Sequence, residues 1–214
     1  MRFTEHEMVF LNSITKGNTV FGIPLNFRAK EGHKEEVNKT IRGLVEKKVL
    51  KSETELSELG VLPARALELY KESKAHIIVN YLHIALIEKQ EAIVIIPTKN
   101  REYELLRLPR MALIYLLLDR YPILRNAEKI TETKAEMIEH DAFLRKLKEY
   151  DGNIMVGAFQ EDKIVSEHVY YWKENQMYRY DLNQQLRKEV NSVQVRRELL
   201  KLLQIKEGAE NYGR

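Results

Sequence analysis

Along the first seventy residues the apolar positions recur at helical spacing, and after that they crowd into short runs broken by polar turns. Thr4-Glu5-His6-Glu7 has the spacing of a capping box, and Met8, Leu11 and Ile14 follow at intervals of three, so a helix is expected from Thr4 until Gly17-Asn18 stops it. Val20 to Leu25 is apolar but broken by Gly22 and Pro24, which predicts a packed connector. A second helix is expected over Lys34–Lys48, burying Val37, Ile41, Leu44 and Val45. Ser52 to Leu59 reads as a helical turn closed by Gly60, and Pro63 as the first residue of a helix running to Ser73.

From His76 the texture is that of strands. His76–Glu88, Ala92–Ile96 and Glu102–Leu108 form one expected meander, separated by Glu88-Lys89-Gln90-Glu91 and Thr98-Lys99-Asn100-Arg101. Pro109 then opens an apolar helix, Met111–Arg120, which ends before Pro122. Thr133-Lys134-Ala135-Glu136 has the spacing of a second capping box and predicts a helix to Tyr150, followed by a turn at Asp151-Gly152. Ile154–Phe159, Lys163–Trp172 and Gln176–Leu182 make a second meander, and a helix from Gln184 to Leu203 closes the pattern. The expected fold is α+β: one domain of two pseudo-repeated halves, about 1–121 and 122–205, with six antiparallel strands flanked by helices. Tyr103 and Tyr178, 75 positions apart, mark the correspondence. A frayed tail is expected over 206–214, where Gly208 and Gly213 interrupt any periodicity.

Composition narrows the function classes. With no cysteine among 214 residues, disulfides, thiolate metal sites and cysteine nucleophiles are excluded, and a reducing, cytoplasmic setting is the expectation. The longest apolar run, Met111–Leu118, falls far short of the roughly 20 residues that span a bilayer, and the acidic opening residues do not suit a signal peptide. Thirty-five basic and 32 acidic residues give a net charge of +3 with the signs interspersed, unlike the clustered charge of a nucleic-acid binder.

Candidate chemistry is sparse. The six histidines show no zinc-protease spacing, and His76 and His83, seven apart, fall on opposite faces if the segment is one strand, so rim or surface histidines are expected. The glycines complete no phosphate-binding loop, no serine lies in a nucleophile-elbow setting, and acidic pairs such as Glu35-Glu36 read as solvated charge. An enzyme, a bound metal and a small-molecule substrate or cofactor are therefore not expected. Gly43, inside an amphipathic helix, points to close packing against a neighbour. Tyr170, Tyr171, Trp172, Tyr178 and Tyr180 read as core beneath helices, with an exposed contact surface as the alternative.

The segment Gly43-Leu44-Val45-Glu46-Lys47-Lys48-Val49-Leu50 ending an amphipathic helix, then Leu56–Leu69, then the strand turn after Ala75, resembles the EspG-type chaperones of type VII secretion systems. The resemblance implies a quasi-two-fold antiparallel sheet with helical ends, a cytosolic location, and binding to the tips of helical-hairpin secreted proteins, alone or as heterodimers. The loop Pro97–Arg101 is short, where such chaperones often carry a longer one that contacts the substrate. On the residues themselves, Thr98, Lys99, Asn100 and Arg101 are the candidate partner-binding turn: two cations and two polar side chains suited to the partial negative charge at a helix C-terminus. The alternative function is a winged-helix-derived DNA-binding regulator with Lys34–Lys48 as recognition helix. Against it stand Glu35 and Glu36, which would face phosphates, and the expected helix at the place of a wing.

Overall fold

The computed structural model describes residues 1–17, 19–25, 33–125 and 135–205. In chain order the elements are β1 (Arg2–Thr4), α1 (Glu5–Ile14), α2 (His33–Glu46), β2 (Leu50–Ser52), β3 (Glu55–Leu56), α3 (Glu58–Glu72), β4 (Ala75–Val79), β5 (Leu82–Leu86), β6 (Glu91–Pro97), β7 (Glu102–Pro109), α4 (Arg110–Arg120), a 3-10 turn (Pro122–Leu124), β8 (Glu136–Met137), α5 (His140–Leu147), β9 (Asp151–Gln160), β10 (Lys163–Lys173), β11 (Gln176–Asp181), β12 (Leu186–Glu189) and α6 (Ser192–Leu202). The protein is α+β, and the chain forms two compact units. Met1–Lys74 with Tyr81–Leu108 make the first, and Ala75–Asn80 with Pro109–Arg214 the second.

In the first unit the strands run in the order β1-β7-β6-β5, and β2 and β3 form a separate hairpin. Alternation along β5 and β6 points Ala85, Ile93 and Ile95 to one face, where they meet Met8 and Leu11 of α1 and Leu67 and Tyr70 of α3. The connector Val20–Leu25 packs as expected. Val20 and Ile23 are buried, and the Tyr70 hydroxyl donates to the Phe21 carbonyl at 2.9 Å.

In the second unit the order is β4-β9-β10-β11-β12-β8. Here the tyrosine-rich strands are covered on both faces. Tyr171 and Tyr180 point toward α5, where the Phe143 ring stacks on Tyr180 at 3.8 Å between centroids. Tyr170, on the opposite face of β10, donates its hydroxyl to Glu198 of α6 at 2.5 Å, and Arg179 holds the other oxygen of that carboxylate at 2.8 Å. Tyr170, Tyr171 and Tyr180 are core, and Trp172 and Tyr178 are half-buried.

Several elements differ from expectation. Ten strands pair in these two sets instead of six. His76–Glu88 splits at Asn80-Tyr81 into β4 and β5, with Asn80 in the left-handed region at φ 52°, and β1, β8 and β12 are additional. The residues read as a helical turn at Ser52–Leu59 are the β2–β3 hairpin, because Leu50 pairs with Leu56 across the polar turn Glu53-Thr54. Helix α3 starts at Glu58, five residues before Pro63. The Ser57 hydroxyl caps the Gly60 amide at 2.9 Å, and Pro63, inside the helix, forgoes only the bond to the Leu59 carbonyl. Of the second expected capping box, Thr133 and Lys134 lie outside the described residues, while Glu136 belongs to β8 and pairs with Arg187. The helix expected from Gln184 gives way to β12, and α6 begins only after Asn191, whose side chain and that of Gln194 form a reciprocal capping box. The tail from Lys206 lies outside the described residues.

Candidate functional site

Helix α1 begins at a capping box. The Thr4 hydroxyl accepts from the Glu7 amide, and the Glu7 carboxylate accepts from the Thr4 amide at 2.7 Å. Glu7 does more than cap. It is only 3% exposed, and its carboxylate also receives the Lys47 ammonium at 2.5 Å, at the far end of α2. Gly43 makes the space: a Cβ there would sit 2.7 Å from Glu7 Oε1. The close packing expected of Gly43 is thus the notch that admits a buried carboxylate.

Away from that anchor the side chains from Lys34 to Lys39 are exposed. Leu44 is its one fully buried side chain among the described residues, whereas Val37 and Val45, expected in the core, are 41% and 39% exposed. With the half-buried Ile41 they form a stripe at i, i+4 and i+8. The spacing identifies an apolar face correctly: Ile41 packs against the core, while Val37 and Val45 stay largely exposed. On one side of the stripe, Val37, Thr40 and Glu36 face His6, Val9, Phe10 and Ser13 of α1 across a groove of about 220 Å³. His6 Nε2 and Glu36 Oε2 meet 3.9 Å apart across its rim. On the other side, Ile41 and Val45 look over Lys51, Ser52 and Glu53 of the hairpin, in an open hollow of about 430 Å³.

The turn Thr98–Arg101 connects β6 to β7, closed by a bond from the Thr98 amide to the Glu102 carbonyl at 2.8 Å, with Arg101 at φ 56°. Lys99, Asn100 and Arg101 are exposed, and Thr98 is half-buried. Neither cation enters an ion pair with another described residue. Strand register sets Glu102 opposite Thr4, the residue that caps α1, so the turn lies near the start of that helix. Burial, with the Glu5 carboxylate beside it, raises the pKa of the neighbouring Tyr103 phenol, which ties this end of β7 to the first turn of α1. The groove rim at His6 and the cationic turn therefore share one end of the first unit.

Among the described residues no group of three or more His, Asp or Glu side chains could hold a metal. His76 and His83 lie on different strands, and His76 is buried at 3% exposure rather than on the surface. Burial lowers the pKa of His83. His168 pairs with Asp181 at 3.1 Å, and His140 stacks on Tyr180. The groove residues Val9, Phe10 and Val37 escape a sequence reading because apolar periodicity looks the same whether a partner element exists or not. The hairpin did carry a signal: two leucines flanking a five-residue interval with Ser52-Glu53-Thr54 at its centre.

No curated protein matches the chain. A family described as a domain of unknown function, DUF5081, matches residues 1–211, nearly the full length, and the chain belongs to that family.

Proposed function

We propose that this protein is a non-catalytic, cytosolic adaptor that holds another protein, a helical-hairpin secretion substrate or its heterodimer, in the manner of the EspG-type chaperones it resembles. The observation that carries the reading is the pairing of an apolar groove between α1 and α2 with an exposed cationic turn at the same end of the unit. An amphipathic helix binds such a groove through its apolar face, and Lys99 and Arg101 suit the carbonyls and partial negative charge where a helix ends. Ile14, Leu59, Val61 and Leu62, on the same unit, are also exposed. Among the described residues no helix is long and apolar enough to cross a membrane. The test is the identity of proteins that co-purify from native cytosol with the wild-type chain but not with a Val37→Glu variant. Secreted helical-hairpin proteins support the reading, and recovery of the same proteins by both forms counts against the groove.

A second reading has one observation in its favour. The β2–β3 hairpin follows α2 directly, where a winged-helix DNA-binding protein has its wing. Its charge opposes the role: exposed Glu53 and Glu55 on the hairpin and Glu35 and Glu36 on α2 would all approach phosphates. Retarded migration of promoter DNA at low salt, lost at higher salt, would favour this second reading over the first.

A further inference from the structure

We propose that the protein self-associates through the first two turns of α3, packed antiparallel against the same turns of a second copy. The inference is independent of the docking reading above. Gly60, Ala64 and Leu67 make the buried face of this part of the helix, and the opposite face is exposed. On that exposed face Glu58, Val61, Leu62 and Arg65 fall at i, i+3, i+4 and i+7, the spacing of one continuous stripe. A stripe that faces solvent is ordinarily polar, yet here Val61 is 53% exposed and Leu62 67%. The stripe therefore carries two adjacent apolar side chains between an acid and a base.

The order of charges names the occupant. A two-fold axis between Val61 and Leu62 sets Glu58 of each copy level with Arg65 of the other, and Val61 against Leu62. Each charge lies about 5 Å from that axis along the helix, at 1.5 Å per residue, so both ion pairs form together. A parallel arrangement would instead face Glu58 with Glu58 and Arg65 with Arg65. Both side chains can take the new partner. Glu58 forms no ion pair with another described residue, and Arg65 meets Glu68 and Glu72 of its own helix through Nη1 alone. The other guanidinium N–H groups are left to donate to a second carboxylate. Four side chains per copy bury much less than the roughly 800 Å² per partner of a standard interface, so the association is weak and reversible.

Sedimentation velocity on the full-length chain, over a concentration series at low salt, tests the pairing. The wild type should shift from monomer to dimer as its concentration rises. Glu58→Arg puts like charge opposite Arg65 in both contacts, and Arg65→Glu does the same opposite Glu58. Either change alone should weaken association by about tenfold or more. An equimolar mixture of the two variants restores both opposite-charge pairs and should dimerise like the wild type, as should the chain that carries both changes. Leu62→Asp should be monomeric throughout. At dilute concentration all four variants should melt like the wild type, since Glu58, Leu62 and Arg65 lie on the exposed face. A wild type that stays monomeric at every concentration overturns the proposal. So does dimerisation unchanged by Glu58→Arg, or a mixture that fails to restore it.

Discussion

At Gly43 two residue-scale rules give opposite signs, and the local geometry decides between them. In an exposed helix Gly→Ala gains about 1 kcal/mol from reduced chain freedom. Here the added methyl lands 2.7 Å from Oε1 of a carboxylate whose other oxygen, Oε2, accepts from Thr4 and Lys47, so the group cannot swing aside cheaply. Gly43→Ala should lower stability by about 1–3 kcal/mol, read from the urea midpoint. A gain would show that Glu7 is free to leave the notch. Gly60 is more constrained, because a Cβ there would sit 1.9 Å from the Val49 carbonyl oxygen. Gly60→Ala should cost about 3 kcal/mol or more in the same titration. The sequence made Gly43 legible as a packing glycine, since its cost inside an amphipathic helix needs a return. Gly60 was misread as a helix stop, because the backbone it touches lies eleven residues away and no local pattern reports that approach. Buried tyrosines set the alkaline limit. Burial raises the pKa values of Tyr70 and Tyr170, and in Tyr170 the Glu198 carboxylate adds to it, while Tyr171 is pushed up to about 12 by burial. The folded state thus holds these protons more tightly than the unfolded chain. Their contribution is complete below the ordinary tyrosine pKa near 10 and is lost as pH rises through the folded values. Spectrophotometric titration should show these three of the 11 tyrosines ionising only with unfolding. Their ionisation in the native protein, before any loss of structure, would contradict this.

At the scale of elements, capping spacing located α1, its neglect at Asn191 displaced the start of α6, and at Thr133–Glu136 it named a box whose last residue lies in β8. Thr4–Glu7 located α1 because the pattern was recognised. Asn191-Ser192-Val193-Gln194 carries the same reciprocal bonds, and missing it extended α6 back through β12. Asn191→Ala should therefore destabilise by about 1 kcal/mol, with the loss read in chemical denaturation. The strands of the two meanders were legible from alternation and polar turns, but β1, β8 and β12 have four residues or fewer and carry little periodic signal of their own. The tyrosines of β10 and β11 were legible as core. What they pack against was not, since the helix expected at Thr133 places Phe143 in mid-helix, whereas α5 starts at His140 and sets that ring on Tyr180. Phe143→Ala should cost about 3–5 kcal/mol, a loss that an exposed aromatic stripe would not produce.

For the whole molecule, the α+β class and antiparallel pairing follow from the alternation of helical and strand texture, while the division into two units does not. Ala75–Asn80 follows the first unit in sequence, yet β4 pairs with β9 of the second, from Ala75 opposite Gln160 to Val79 opposite Val156. A boundary read along the sequence cannot show such a crossing, because it depends on pairings 75 or more residues apart. The functional proposal draws on exclusion and resemblance in the sequence, while the groove it uses comes from the spatial approach of α1 to α2. The central claim is that the groove and the turn together grip a protein partner. Its most direct test is a low-salt titration of the co-purified partner against the wild-type chain and against Lys99→Glu with Arg101→Glu. Each exposed charge contributes roughly 0.2–1 kcal/mol, so reversing both should weaken binding by about tenfold or more. The melting temperature should stay nearly unchanged, since neither cation forms an ion pair with another described residue. Unchanged affinity, with the variant folded, would contradict the account and place the partner elsewhere on the surface.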